Sequence, residues 1–395
     1  MAHVINFLSP EFHADPYPHY VELRKNNPVC QVDPGGMWFV ARYDDVQHVF
    51  RHPEIFSSSG FRAVWLPPWL KGNPLAESIL LMDPPEHTKY RNLINRVFGG
   101  NLAARMELEV RNIAESLASQ IEAETETEFV SAFSFALPSI VIARMLGMDE
   151  RRHKELGHWI HVLTEISPAT PESLWESTKA TLTDMSEYLY GFVKSRRKAP
   201  TGDFVTSLIR AEIDGMNLSD REIVSFLVLL VAAAIETTGH LISNALRFLT
   251  TAPEITARLR AEPGIIVQFL EEILRWDGPG QGVPRITMRE SEIRGITIPA
   301  HAMVYVGVAS ANRDESRFPN GDKFELFRNV QGSLMFGHGV HHCVGSAIAR
   351  LEARVALEVL LKRFGEVERA SREIEWNTSI ITRGPLKLPV RFFQA

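Results

Sequence analysis

From about Leu102 to Leu274 apolar residues recur at steps of three and four with few strand-like runs, so this stretch is predicted to be mostly helices that each bury one face. The breaks between them are short: "SPATPES", "RRKAPTGD" and "AEIDGMNLSD". One segment, "VAAAIETTGHLISNALRFL", is apolar on nearly every side, as expected of a helix that crosses the core. Earlier, "MWFVARYDDVQHVF" runs aromatic and β-branched before turning to helical spacing, which predicts a strand leading into a helix. After Arg275 the pattern changes to two alternating stretches joined by Gly and Pro, in "GPGQGVPRITMRESEIRGITIPAHAMVYVGVAS", as in hairpins. Helical spacing returns in "VGSAIARLEARVALEVLLKRF", with Ile348, Leu351, Val355 and Leu361 on one face. No repeat or low-complexity tract interrupts the chain. The pattern predicts a mainly α fold with small β-sheets (α+β) in a single domain over residues 1–395. Its β-containing part lies at roughly 1–60 and 276–310, and its helical core at roughly 84–275 and 343–364.

Composition narrows the function. With 395 residues, 45% of them hydrophobic and 23% charged, the chain has ample material for a large core. A net charge of -6 gives no global attraction to nucleic acid, so any anion-binding role must come from a local cluster. The opening residues lack a Lys/Arg-rich start, which predicts neither a signal peptide nor a membrane anchor. The longest apolar run, "FLVLLVAAAI", is well short of the roughly 20 residues of a membrane span. Two cysteines, Cys30 and Cys343, argue against a disulfide scaffold and for a reducing, cytoplasmic setting.

Four segments carry candidate chemistry. In "SLMFGHGVHHCVGSAIARLE" three histidines and a cysteine crowd between glycines, and a helix begins at or just past the cysteine. Backbone N–H groups and the positive dipole end there favour a thiolate at Cys343. Gly337, Gly339 and Gly345 let the backbone bend and approach a flat ligand. The loop alone is open to three readings: a zinc site through His338, His341 and Cys343, a histidine-rich structural turn, or a single thiolate on haem iron. In the core helix, Glu236, Thr237 and Thr238 interrupt the apolar surface. A buried carboxylate costs several kcal/mol unless it is partnered, so it is either held by an arginine or placed as a proton relay. In "FLEEILRW", Glu272 and Arg275 face each other three residues apart. In "LMDPPEHTKYRNL", Asp83 is the expected N-cap with Pro84 at the first helical position, which puts His87 and Arg91 one turn apart, two donors suited to an anion.

Together and in this order, these segments resemble the cytochrome P-450 superfamily, from about Asp15 to the C-terminus. "FGHGVHHCVG" is similar to its haem-binding loop, "AAIETT" to its oxygen-binding helix, "EEIL-R" to its Glu, any two, Arg signature, and "DPPEHTKYR" to a helix of its soluble bacterial members. The resemblance implies the family fold, with heme b between a long central helix and the cysteine loop. It makes Cys343 the proximal ligand of the iron and His87, Arg91, Arg285 and His341 the partners of the haem propionates, with His338 and His342 structural. Glu236 would feed protons inward and Thr237 would hydrogen-bond the oxygen. Glu272, Arg275 and Arg328 would form a buried structural triad.

The implied activity is that of a monooxygenase which uses O2 and two electrons to place one oxygen atom in an apolar small molecule, as in natural-product tailoring. Desaturation or aryl coupling on the same fold, and a non-catalytic haem sensor, are its alternatives. One departure is Ala234, where the family commonly has glycine and a looser helix. No dinucleotide fingerprint or flavin segment is present, so electrons from NAD(P)H are expected through a separate ferredoxin and ferredoxin reductase acting on a monomer. Substrate contacts expected by position are Phe61, Trp65, Leu80, Leu229, Ala232, Ala233, Val283 and Ile381, with Trp69 and Thr382 beside them.

Overall fold

The structure, a computed structural model, describes residues 5–394 other than 99, 100, 165, 168 and 169. Its principal helices are α1 (Tyr43–Arg51), α2 (Glu86–Phe98), α3 (Leu102–Ser119), α4 (Ala136–Leu146), α5 (His153–Thr164), α6 (Trp175–Lys198), α7 (Asp220–Leu249), α8 (Ile266–Asp277) and α9 (Ser346–Arg363). The strand-then-helix reading of residues 37–51 and the helical middle are both present.

α7 organises the rest. It runs 30 residues, and a capping box starts it: the Ser219 hydroxyl accepts the Glu222 N–H, while the Glu222 carboxylate accepts the Ser219 N–H at 2.8 Å. The helix is long and apolar enough to cross a membrane, but 67% of its apolar window is buried inside the protein, so it is a core helix. Its first half, from Ile223 to Ile235, packs into a hydrophobic core shared with α2, α4, α5 and α6. Its second half, from Leu241 to Leu249, packs into another core built from α3, α4, α8 and α9. Each fully buried Leu or Ile in either core contributes roughly 1.5–3 kcal/mol. The polar interruption at 236–240 falls between the two cores.

The strands of the two larger sheets are β1 (Val29–Val32), β2 (Met37–Val40), β3 (Phe56–Ser57), β4 (Glu126–Glu128), β5 (Val283–Thr287), β6 (Met303–Val306), β7 (Phe364–Arg369) and β8 (Pro389–Gln394). Five of them form one sheet in the order β1-β2-β6-β5-β3, with β6 parallel to β2 and antiparallel to β5. Side chains alternate along β5, which sends Val283 and Arg285 to one face. A second sheet, β7-β8-β4, joins the C-terminus to a three-residue strand from the helical middle. The sequence pattern did not reveal that sheet, because "ETE" carries no apolar alternation.

Candidate functional site

The cysteine loop is built by its glycines and closed by the backbone. Gly337 and Gly339 hold φ of 74° and 71°, left-handed values that suit glycine, and at Gly339 a Cβ would lie 2.9 Å from the Phe50 carbonyl oxygen. Gly345, by contrast, sits at φ -84° as the N-cap of α9. The Cys343 N–H donates to the Phe336 carbonyl at 2.8 Å, which turns the thiol toward a cavity between this loop and α7. Cys343 is accessible through that cavity although its surroundings are dense. Burial pushes its thiol pKa up, and the opposing pull of the Gly345 and Ser346 amides, Arg91 and Arg350 does not overcome it. The Gly345 and Ser346 amides at this helix end favour the thiolate, as expected, while burial favours the thiol.

The three histidines of the loop diverge. His338 accepts from Arg51 Nε at 3.3 Å, His342 is exposed, and the His341 ring packs 4.2 Å from that of His87 with Nε2 3.1 Å from the Ser58 hydroxyl. Among the described residues no three His, Cys, Asp or Glu side chains converge to hold a metal ion, so the zinc reading does not fit.

Around His341 lies a cluster of donors, none of which is hydrogen-bonded to a carboxylate among the described residues, Asp83 being the acid nearby. Arg285 is part-buried, its only side-chain bond among the described residues goes to the Pro284 carbonyl at 2.8 Å, and burial pushes its pKa down to about 10. His87 is 2% exposed with Nδ1 unpartnered. Arg91, one turn on, bonds only Asn95 among the described residues. Burial, then the charge of Arg285, pushes the His341 pKa down to about 3. Buried donors left open in this way are costly unless an anion meets them. An apolar flat group carrying carboxylates fits: sulfur on one wall, small residues on the other, donors at one edge.

Asp83 does not cap α2, which begins at Glu86. Its carboxylate instead accepts from the Ser57 hydroxyl at 2.5 Å, the Ser58 N–H at 2.9 Å and the Ser59 hydroxyl at 2.7 Å. It thereby ties the start of α2, and with it His87, to the loop that carries Phe61.

On the far wall α7 remains helical through Ala234. Ala233, Ala234, Thr237 and Thr238 line the cavity, and the Thr237 hydroxyl donates to the Ala233 carbonyl at 2.7 Å. Among the described residues no arginine holds Glu236. Its Oε1 accepts from the Thr382 hydroxyl at 2.6 Å and lies 3.8 Å from His240 Nε2.

Of the expected substrate contacts, Phe61, Trp65, Leu80, Ala233, Val283 and Ile381 line the cavity. Leu229 and Ala232 do not; they pack toward the first core, and Leu230, Ala234, Thr238 and Leu241 take the lining positions. The correction is one of helical phase, since the lining face follows 230, 233/234, 237/238 and 241. Trp69 lies outside as well and stacks on Trp175 at 5.4 Å. Glu352 on α9 also reaches the cavity wall, its Oε2 unpartnered and its pKa pushed up by burial to about 8. The sequence reading passed over it because it looked like one more polar position on an amphipathic helix.

Glu272, Arg275 and Arg328 meet in the interior. Arg275 donates to both Glu272 oxygens at 2.7 Å, Arg328 Nε donates to Oε1 at 3.2 Å, and Arg275 also donates to the carbonyls of Asn312 and Gly321. The Glu272 and Arg275 side chains are fully buried, so this pair is not the solvated surface contact that three-residue spacing usually signals. The triad braces the segment that leads into the cysteine loop.

Comparison with known proteins agrees with this geometry. The sequence model of the family described as "Cytochrome P450" matches residues 3–379. The chain is similar to "Cytochrome P450 109" of Bacillus spizizenii, 33% identical with 95% of this chain and 91% of that protein covered. It is similar to the mycinamicin IV hydroxylase/epoxidase of Micromonospora griseorubida, 33% identical with 94% of each covered. Its structure superimposes on cytochrome P450 CYP109Q5 from Chondromyces apiculatus with a TM-score of 0.91 and 36% identity over 100% of both chains. With the cysteine loop facing α7 across an apolar cavity, and with these likenesses over nearly the whole chain, the protein belongs to the cytochrome P450 family of haem-dependent monooxygenases.

Proposed function

We propose that this monooxygenase oxidises an apolar, ring-bearing small molecule of the natural-product type, with Cys343 as the residue whose thiolate would hold the haem iron and His87, Arg91, Arg285 and His341 as those that would meet the haem carboxylates. The observation that carries the reading is the cavity itself, with Cys343 on one wall, Ala233, Ala234 and Thr237 opposite, and Phe61, Trp65 and Leu80 completing an apolar lining. The similar enzyme named for mycinamicin IV supports a substrate of that class.

Haem, when bound, supplies the redox chemistry that activates O2. The chain supplies the rest. Phe61, Trp65, Val283 and Ile381 exclude water and hold the apolar body of the substrate. The small side chains of Ala233 and Ala234 leave room for a ring beside α7. Thr237, whose hydroxyl donates a hydrogen bond to the Ala233 carbonyl, lines the cavity, and Glu236 one residue earlier is the carboxylate that would carry protons toward it. Electrons come from NAD(P)H through a ferredoxin and its reductase, and the setting is cytoplasmic. The lack of any dinucleotide fingerprint in residues 1–395 supports separate electron donors.

A titration of the haem-loaded enzyme with a panel of macrolides, steroids and polar controls tests the substrate class. Apolar ring compounds are expected to displace the water on the ferric iron and shift the Soret band, whereas a response to polar compounds alone contradicts the reading. With a substrate from that panel, Thr237→Ala and Glu236→Gln are each expected to keep haem and substrate binding while diverting reducing equivalents to peroxide. Unchanged product per NAD(P)H consumed would remove the proton role from whichever residue showed it.

A further inference from the structure

Glu236 ends a chain of hydrogen bonds. Asn377 Nδ2 donates to the Thr382 hydroxyl oxygen at 3.1 Å and to the Thr382 carbonyl at 3.2 Å, and the Thr382 hydroxyl donates to Glu236 Oε1 at 2.6 Å. One turn further along α7, His240 brings Nε2 to 3.8 Å from that same oxygen. His240 is 2% exposed, its ring stands edge-on to Phe135 at 5.1 Å and 77°, and its Nδ1 has no partner among the described residues. Space for the ring depends on Gly384, where a Cβ would lie 2.0 Å from His240 Nδ1.

Packing alone gives no reason for an imidazole here. A leucine or phenylalanine would fill the same space, whereas a buried ring nitrogen without a partner costs about 1–3 kcal/mol. The side of the ring that does face a polar group faces Glu236.

We propose that His240 is a positioning residue for Glu236: its Nε2 edge, at ion-pair distance of 3.8 Å, together with the Asn377–Thr382 chain, aims the carboxylate at the polar break in α7. The proposal deepens the proton-carrier reading of Glu236 and rests on it. The groups that face Glu236 are His240 from α7, Thr382 from the segment before β8 and His161 from α5. Among the described residues no arginine or lysine lies within ion-pair distance of it. Burial alone pushes the Glu236 pKa up; His240, then Thr382, more than offsets this, and the acid lies below the ordinary carboxylate range. It is therefore ionised at neutral pH and takes up a proton only as pH falls through that lowered value, so removing His240 moves its protonation to higher pH.

The test follows the Glu236 carboxyl band by isotope-edited infrared spectroscopy of the haem-loaded enzyme across about pH 3 to 9, with Glu236→Gln subtracted to assign it. His240→Leu is expected to raise the midpoint by about one pH unit, a tenfold change in proton affinity. His240→Gln, which keeps an N–H donor on the same turn of α7, is expected to restore most of the shift. A midpoint unmoved by His240→Leu overturns the proposal, and so does a His240→Gln midpoint displaced as far as that of His240→Leu. If His240→Leu does not fold, Gly384→Ala displaces the ring without altering it and is expected to shift the band in the same direction; no shift overturns the proposal. The readout needs no turnover, so its failure is distinct from failure of the Glu236→Gln peroxide assay.

Discussion

The Cys343→His enzyme is expected to bind haem and to lose oxygen insertion by roughly a thousandfold or more, about 4 kcal/mol of barrier at 1.4 kcal/mol per tenfold. The loop geometry accounts for both halves of the result. The left-handed turns at Gly337 and Gly339 and the Cys343 N–H bond to Phe336 are backbone features that survive the substitution. The donor edge formed by Arg285, His87 and His341 is likewise untouched. What is lost is anionic sulfur, whose electron donation favours O–O cleavage, and imidazole donates far less. Product formation in single turnover and electron paramagnetic resonance of the ferric enzyme check the two halves separately. Thiolate-type resonance or near-normal turnover in the variant would mean that Cys343 is not the residue that holds the haem iron.

The second large effect is on stability. Glu272→Ala is expected to destabilise the fold by about 3–5 kcal/mol, because it leaves Arg275 and Arg328 buried without their carboxylate. Arg275 is fully buried and Arg328 nearly so, while Glu272 also accepts the Glu325 N–H at 2.9 Å. The Asn312 and Gly321 carbonyls still receive Arg275, which keeps the loss from being larger. Glu325 offers the control. Its side chain is 48% exposed and pairs with Arg328 at 2.8 Å, so Glu325→Ala is expected to cost less than about 1 kcal/mol. Urea denaturation of both variants measures the difference, and equal midpoints would mean that the triad contributes no more than a surface pair.

Local rules made much of this legible. The three- and four-residue periodicity located α7 and α9, and the glycine spacing marked the cysteine loop, because both depend on neighbours in sequence. Glu272 and Arg275 were paired correctly by spacing, but their complete burial depends on residues 312–328, which spacing does not reach. The error at Leu229 and Ala232 arose because a helix apolar on all sides gives no phase: two cores cover opposite faces of α7, and only the third dimension shows which residues face the cavity. Asp83 resembles a cap because of Pro84, yet four hydroxyl and amide donors at Ser57 to Ser59 outcompete the helix for its carboxylate. The Thr382 contact to Glu236 spans 146 residues, so neither it nor the place of His240 beside that acid could be read from any window of sequence.

The most direct measurement is the absorption spectrum of the wild-type protein, loaded with haem, reduced and exposed to carbon monoxide. This account predicts the strongly red-shifted Soret band of a carbonyl opposite a cysteine thiolate. A band at the position given by a neutral histidine or thiol, or protein that takes up no haem, would contradict it.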